Sequence, residues 1–185
     1  MFESDAIVHK NPVSIVASRQ VMRPEADVQR DVYDSHRHRV FALGFYMTGN
    51  ELEAEEILTE TFVQAFRTEA VPQAEHVDAA LIEELRQRFP LGENEPAASV
   101  TRGLVPTENL SGQNVRRTDL EEAIQTLPAT ERLLFLLRDV EGYSPAAISQ
   151  LLQMPESKVQ RSLFSARIRL RQTLAAAKAD QREAA

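Results

Sequence analysis

Apolar residues recur at intervals of three and four along most of this chain, the period of an amphipathic helix, and strand-like alternation is almost absent. The first clear stripe lies between residues 31 and 47. Its members are Tyr33, Val40, Phe41, Gly44 and Phe45. The pattern therefore predicts an all-α protein, whereas the first 25 residues have no clear period and are left unassigned.

A second helix is predicted directly after the first. Gly49 suits a helix C-terminus, and Asn50 with Glu53 three residues later resembles a capping pair. The new helix carries apolar residues at i, i+4, i+7 and i+8, namely Leu58, Phe62, Ala65 and Phe66. Because the connection is short, the two helices are predicted to form an antiparallel hairpin.

Proline and glycine punctuate the polar stretch that follows, up to about residue 117. One short helix is predicted within it, because four apolar residues recur there at helical spacing. They are Val77, Leu81, Leu85 and Phe89. The remainder, residues 91–117, is predicted to be a flexible linker.

A second helical module is predicted beyond the linker. It begins with a capping box formed by Thr118 and Glu121, and Pro128 suits the first turn of the next helix. Ser144 followed by Pro145 is a strong signal for another helix start. After a short break, a last helix carries the stripe Val159, Leu163, Ala166, Leu170 and Leu174.

These elements predict two small helical domains joined by a flexible linker, the C-terminal one a helix-turn-helix. The predicted ranges are an N-terminal extension at 1–25, a helical domain at 26–90, the linker at 91–117, a helix-turn-helix domain at 118–176 and a tail at 177–185.

The charge distribution bears on the choice of partner. The 185 residues carry a formal net charge of -7, but DNA binding needs a local basic face and not a basic whole. Five glutamates fall between residues 51 and 60, whereas residues 158–171 hold five basic side chains and no acid. The two ends of the protein are therefore expected to offer different surfaces.

Several chemistries are excluded or disfavoured. The chain has no cysteine, which excludes disulfides, thiolate zinc sites and cysteine nucleophiles. His36 and His38 lie two residues apart on a helix and point to different faces, so we interpret them as surface residues. No phosphate-binding glycine loop or catalytic constellation is evident, and we expect a protein that is not an enzyme and needs no metal or cofactor. No apolar run approaches the ~20 residues that span a bilayer, and no signal peptide is recognised, so a cytoplasmic location is expected.

The last two helices carry the predicted function. In a helix-turn-helix the second helix enters the major groove, and its first turns reach the base edges. Six side chains lie off the apolar stripe and can face DNA: Ser157, Lys158, Gln160, Arg161, Phe164 and Ser165. Three more, further along, suit the phosphate backbone: Arg167, Arg169 and Arg171. The alternative is a plain helical hairpin whose basic residues only solvate an exposed face.

Residues 120–174 resemble the C-terminal domain of extracytoplasmic-function (ECF) sigma factors, which reads the -35 promoter element. The resemblance rests on Leu127-Pro128, Arg132, the run LLRDVEGYS at 136–144, Pro155 and Ala166-Arg167. Residues 32–66 resemble the core-polymerase-binding region of the same family. The matching positions there include Arg39-Val40, Met47-Thr48-Gly49 and Ala54-Glu55-Glu56.

The resemblance implies core RNA polymerase, promoter DNA and an anti-sigma protein as partners, with no membrane insertion. It assigns polymerase contacts to four residues of the second helix: Glu55, Glu56, Thr59 and Glu60. A merely solvated acidic face is the alternative for that helix.

The sequence departs from the family where the -10 region is normally opened by a basic, tryptophan-containing helix. This chain has no tryptophan, and its stretch from Thr68 to Phe89 is acidic. Gln153 also stands where the family usually has a turn glycine. The leading hypothesis is thus an ECF-type sigma factor with a divergent melting segment. The alternatives are a sigma-like decoy that binds polymerase or an anti-sigma protein without initiating transcription, and a regulator that uses only its C-terminal domain.

Overall fold

The computed structural model describes residues 24–92 and 116–183, with side chains up to Ala179. The N-terminal helices are α1 (Glu25–Thr48), α2 (Glu51–Thr68) and α3 (Ala74–Arg88). The C-terminal helices are α4 (Arg117–Gln125), α5 (Ala129–Phe135) with a π-helical segment (Leu136–Val140), α6 (Pro145–Leu152) and α7 (Glu156–Glu183). Both described ranges are helical without strands, so the all-α fold class is confirmed. Most of the predicted linker, the N-terminal extension up to residue 23 and the last two residues lie outside the described residues.

The hairpin of α1 and α2 forms as its end signals predicted. Gly49 takes a left-handed conformation at φ 73°, and its N–H donates to the Phe45 carbonyl at 2.7 Å. The Asn50 side chain accepts a hydrogen bond from the Leu52 N–H at 2.9 Å and so caps α2. Where the helices cross, a Cβ on Gly44 would lie 3.3 Å from the backbone of Ala54, so glycine permits their close approach.

The buried faces of α1 and α2 are shifted slightly from the predicted stripes. Leu43 and Met47 are buried in α1, whereas Phe41 and Phe45 are only partly buried. In α2 the buried residues are Ala54, Ile57, Thr61, Phe62 and Ala65, and Leu58 is partly buried. The shift arises because α1 packs against helices of both modules, so its buried surface is wider than one stripe.

The start of α4 differs from the prediction. The helix begins at Arg117, and no side chain caps it, so the capping box of Thr118 and Glu121 was wrong. Thr118 already lies inside the first turn, and Glu121 accepts a hydrogen bond from the Arg117 guanidinium at 2.7 Å instead. Further along, Pro128 is the residue before α5, and the Ser144 hydroxyl accepts from the Ala147 N–H at 3.1 Å as a predicted cap.

The two helical modules pack directly against each other. One hydrophobic cluster contains Val77, Leu81 and Leu85 from α3 together with Leu133 and Ile148 from the C-terminal helices. A second, smaller cluster joins α4 to α7. Helix α7 continues without interruption to Glu183, through residues that the sequence assigned to a tail. Within the described ranges, no helix is long and apolar enough to cross a membrane.

Candidate nucleic-acid and protein interfaces

Helices α6 and α7 and the turn between them form the helix-turn-helix. Gln153 ends α6 in the left-handed conformation at φ 53°, where a glycine would carry no side-chain strain. The Ser149 hydroxyl donates to the Met154 carbonyl at 2.6 Å, and the Met154 N–H donates back to the Ser149 carbonyl at 3.0 Å. These two bonds hold the turn tight and set where α7 begins.

The first half of α7 divides into a buried and an exposed face. Val159, Leu163, Ala166 and Leu170 are buried, as the stripe predicted. Six of the nine predicted DNA-binding residues are exposed: Ser157, Gln160, Arg161, Phe164, Arg167 and Arg171. Phe164 is the most notable because 62% of its surface is open to solvent. An exposed aromatic ring beside Gln and Arg supplies both apolar and bidentate hydrogen-bonding contacts to base edges.

The other three, Lys158, Ser165 and Arg169, are partly buried and contact other elements of the protein, and exposed Arg167 does so as well. The Ser165 hydroxyl donates to Glu131 Oε1 at 2.7 Å, and Arg169 lies 3.1 Å from the other oxygen of this buried acid. Arg167 forms a two-pronged ion pair with Asp139, with a shortest distance of 2.6 Å.

Hydrogen bonding with Asp139 raises the pKa of Arg167. The side chain of Lys158 reaches the segment that follows α3 and donates to the Gly92 carbonyl at 2.6 Å. Of the nine predicted residues, five are therefore exposed without a bond to another helix, Arg167 is exposed but paired with Asp139, and three are partly buried.

Sequence reasoning missed Glu131 and Asp139, which hold the far side of α7. Glu131 lies 34 residues before Ser165, and Asp139 lies 28 residues before Arg167. Neither spacing belongs to a recurring motif. The only available signal in the sequence was an acidic residue on the apolar face of a helix, which suggests that the acid has a structural role.

The acidic surface on α2 is exposed as predicted. Glu55, Glu56, Thr59 and Glu60 line a shallow groove of about 600 Å³, together with Leu52 and Arg88. Leu52 was not predicted, although 71% of its surface is exposed, and it adds an apolar contact to an acidic face.

Arg88 donates hydrogen bonds to Glu84 at 2.8 Å and to Glu56 at 3.2 Å. The bond to Glu84 is the main cause that raises the pKa of Arg88. The groove is thus acidic and apolar with one cation at its edge, a chemistry suited to a basic, amphipathic partner.

The acidic residues of α3 do not form one continuous exposed strip. Asp78 is only 7% exposed and accepts hydrogen bonds from Arg39 and Tyr143. Glu84 pairs with Arg88, which leaves Glu75 and Glu83 exposed on this helix. The described residues contain no group of three or more His, Cys, Asp or Glu side chains placed to hold a metal ion.

The described helices form an all-helical protein with a helix-turn-helix at its C-terminal end, and comparison with known proteins shows which proteins it resembles. The family model described as "Sigma-70, region 4" matches residues 117–170. The chain is 26% identical to the ECF RNA polymerase sigma factor SigE of Mycolicibacterium smegmatis, over 76% of this chain and 59% of SigE. It is 22% identical to the ECF RNA polymerase sigma factor SigW of Bacillus subtilis, over 84% of this chain and 94% of SigW.

A solved structure has the same fold. The sigma factor RpoE from Bartonella quintana, determined in complex with the anti-sigma factor NepR, superposes with a TM-score of 0.57 at 16% identity. The match covers 79% of this chain and 98% of RpoE. Residues 117–170 thus match the sigma-70 region 4 family, and the resemblance of the chain to the ECF sigma factor family is confirmed.

Proposed function

We propose that this protein is an ECF-type sigma factor that binds core RNA polymerase and directs promoter-specific transcription initiation through -35 recognition. The observation that carries the proposal is the region 4 domain, whose recognition helix leaves Gln160, Arg161 and Phe164 exposed beside one another. Arginine and glutamine read guanine and adenine edges, and an apolar ring suits a thymine methyl group. Ser157 and Arg171, also exposed, complete the DNA-facing set.

The second half of the proposal concerns polymerase. The acidic groove on α2, with Glu55, Glu56, Thr59 and Glu60, is the surface through which the chain binds the core enzyme. Complementary charge accelerates such encounters, and Leu52 supplies an apolar contact at the same place. The polymerase performs the chemistry, so the protein acts by recognition alone and needs no cofactor. Its place of action is the cytoplasm, and an anti-sigma protein is the expected regulator.

A sigma-like decoy is the second candidate function. It is favoured by α3, which replaces a basic, aromatic melting helix with a helix whose exposed charges include Glu75 and Glu83. A melted strand is held by cations and aromatic rings, and an acidic face repels it. In this case the protein would bind polymerase or an anti-sigma protein without starting a transcript.

Run-off transcription on host genomic DNA, with core polymerase in the presence and absence of the protein, separates the two functions. Discrete new transcripts establish a sigma factor. The absence of transcripts from a preparation that still binds core polymerase establishes the decoy. If neither transcripts nor polymerase binding are found, the sigma function and the polymerase-binding decoy are both wrong, and only a decoy that binds an anti-sigma protein is left.

The polymerase surface has a charge-matched control. The double substitution Glu55→Ala/Glu60→Ala should weaken binding to core polymerase by about fivefold or more, because both acids line the groove. Glu75→Ala/Glu83→Ala removes the same charge from exposed positions of α3 and should leave that affinity unchanged. Equal losses in the two variants would mean that net charge, and not this groove, governs binding.

A further inference from the structure

A cavity of about 450 Å³ lies beside the turn of the helix-turn-helix. One wall comes from the end of α3 and the residues directly after it, and the other comes from the end of α6 and the turn. Small-molecule sites in proteins are commonly cavities of about 300–1,000 Å³ with apolar walls and a few polar groups. The volume therefore suits a small organic molecule, and the side chains of the walls decide which kind.

Arg86 supplies a positive charge to the cavity. Its side chain is partly buried, and one guanidinium nitrogen donates to the Leu152 carbonyl at 2.8 Å. The ion pairs between described residues do not include Arg86, whereas Arg88 pairs with both Glu84 and Glu56. A guanidinium has five N–H donors and stays charged, so one carbonyl leaves most of its donors for other partners. An anion is the partner that such a group favours most.

Gln153 brings an amide to the same cavity at a cost in backbone strain. Among the residues that the structure describes, it is the one non-glycine residue with a positive φ, 53°. Strained backbone positions of this kind cluster at ligand sites, where the surrounding structure holds them. A glycine would relieve the strain, but it would also take the amide out of the cavity wall.

Most of the remaining wall is apolar. The side chains that form it are Phe89, Leu91, Leu152 and Met154. Leu152 and Met154 belong to the main hydrophobic cluster, and Phe89 and Leu91 pack against that cluster. The Met154 thioether is flexible and polarizable, so it adapts to ligands of irregular shape. One cation and apolar walls together suit a monoanion with an apolar body better than they suit a multiply charged phosphate.

We propose that this cavity is a binding site for a small amphipathic carboxylate. The carboxylate binds Arg86 and Gln153, and its apolar body packs against Phe89, Leu91 and Met154. The site goes beyond the proposed sigma function, because binding of the small molecule is measured without DNA or polymerase. A failure of either proposal is therefore visible separately from a failure of the other.

A ligand in this cavity touches the turn that sets the start of α7. Leu152, Gln153 and Met154 are consecutive in the wall, and the Met154 N–H donates to the Ser149 carbonyl at 3.0 Å. A ligand that binds only the closed turn stabilises this hydrogen bond by mass action. The site thus couples a small molecule to the recognition helix.

Titration of the full-length chain with octanoate tests the site, and octanamide serves as the neutral probe of the same shape. Methyl-labelled methionine gives few NMR signals, because the chain has four methionines, and Met154→Leu identifies the signal of Met154. Octanoate should shift this signal in a saturable way with a Kd below about 1 mM, and octanamide should bind about tenfold more weakly. Met47 is fully buried in the core, so its signal should stay in place.

Three variants connect the binding to the cavity. Arg86→Met should weaken octanoate binding by about tenfold and leave octanamide binding unchanged. Arg67→Met removes the same charge from an exposed position of α2 and should change neither affinity. Gln153→Gly should weaken octanoate binding by about threefold although it relieves strain, so unfolding does not explain the loss.

The site is overturned by any of three results. They are no saturable shift of the Met154 signal up to about 10 mM octanoate, equal affinity for octanamide, and an unchanged octanoate affinity in Arg86→Met.

Hydrogen exchange of the Met154 N–H tests the effect on the turn. At ten times its Kd, octanoate should slow this exchange by about tenfold. The Gly49 N–H, which donates to the Phe45 carbonyl at 2.7 Å at another turn, should exchange at its former rate. Unchanged exchange at Met154 in the saturated protein, or equal slowing at Gly49, overturns the coupling to the recognition helix.

Discussion

The Ser165 hydroxyl donates a hydrogen bond to Glu131 across the gap between α7 and α5, at 2.7 Å. Glu131 is 8% exposed, and its second oxygen lies 3.1 Å from Arg169. One acid therefore fixes two side chains, a turn apart, on the rear of the recognition helix. Since a small rotation of α7 would move every side chain on its exposed face, this contact sets which residues that face presents.

Replacement of Glu131 should therefore destabilise the region 4 domain. Glu131→Ala leaves a half-buried hydroxyl and a guanidinium without their acid, and should lower the free energy of unfolding by about 1–3 kcal/mol. Urea denaturation followed by circular dichroism measures this loss. Glu122→Ala, at an exposed position of α4, should stay close to the parent. An unchanged denaturation midpoint for Glu131→Ala would show that Glu131 does not hold Ser165 and Arg169 in place.

The salt dependence of DNA binding should distinguish two arginines of α7. Arg161 is exposed on the face of α7 that we propose meets DNA, whereas the charge of Arg167 is already paired with Asp139. Arg161→Ala should reduce the slope of log affinity against log salt by about 1, and Arg167→Ala by less. Fluorescence anisotropy with a duplex from a promoter found by run-off transcription gives both slopes. Equal slopes would contradict the assigned faces.

Backbone conformation predicts opposite effects at two turn residues. Gln153 occupies the left-handed region at φ 53°, so Gln153→Gly should raise the free energy of unfolding by about 0.5–1 kcal/mol. Gly142 lies at φ 80° with open space around its Cβ position, so Gly142→Ala should lower it by about 1 kcal/mol through strain alone. Denaturation midpoints show whether each substitution raises or lowers the free energy of unfolding. A loss of stability in Gln153→Gly would mean that its side chain contributes more than the strain costs.

Two apolar residues of α2 should differ in their contribution to stability. Phe62 is 4% exposed and contacts the ring of Tyr33 edge-on, with ring centroids 4.8 Å apart. Phe62→Ala should cost about 3–5 kcal/mol, because it removes a buried ring and leaves a cavity. Leu58 is only partly buried, so Leu58→Ala should cost less than about 2 kcal/mol. Equal losses of unfolding free energy in the two variants, measured by urea denaturation, would show that the buried and partly buried faces of α2 are wrongly assigned.

The stability of the folded protein, in which the two modules are in contact, should fall at alkaline pH. Burial, and then the hydrogen bond to Asp78, raise the pKa of Tyr143 to about 12, from an ordinary value of about 10. Because the folded-state pKa is the higher one, the contribution of Tyr143 is fully present below about pH 10 and is lost as the pH rises through 12. The charged groups that contact its hydroxyl are Asp78 and Arg39.

Absorbance of tyrosinate measures this directly. The chain has three tyrosines, so the difference between the parent and Tyr143→Phe isolates one phenol, which should titrate near pH 12. Thermal stability between pH 10 and 12 should decline less in Tyr143→Phe than in the parent. A Tyr143 phenol that titrates near pH 10 would mean that it is not held by Asp78 in solution.

Local signals in the sequence were sufficient for most of the secondary structure. The end of α1 at Gly49 and the caps Asn50 and Ser144 were readable, because a cap depends on a few adjacent residues and on their backbone angles. The apolar stripe of α7 was readable because helical periodicity is a local property. The start of α4 was misread, because Thr118 with Glu121 fits a cap and a first turn equally well.

The sequence by itself determined an all-helical chain with a helix-turn-helix and separate acidic and basic regions. Only the tertiary structure decided which charges remain free. Asp78 belonged to an apparently exposed acidic stretch, yet it meets Tyr143 at a separation of 65 residues, and Arg132 meets the end of α1 at a separation of 85. Such pairs are set by how helices pack, and helix packing depends on the whole chain at once, so no window of sequence contains them.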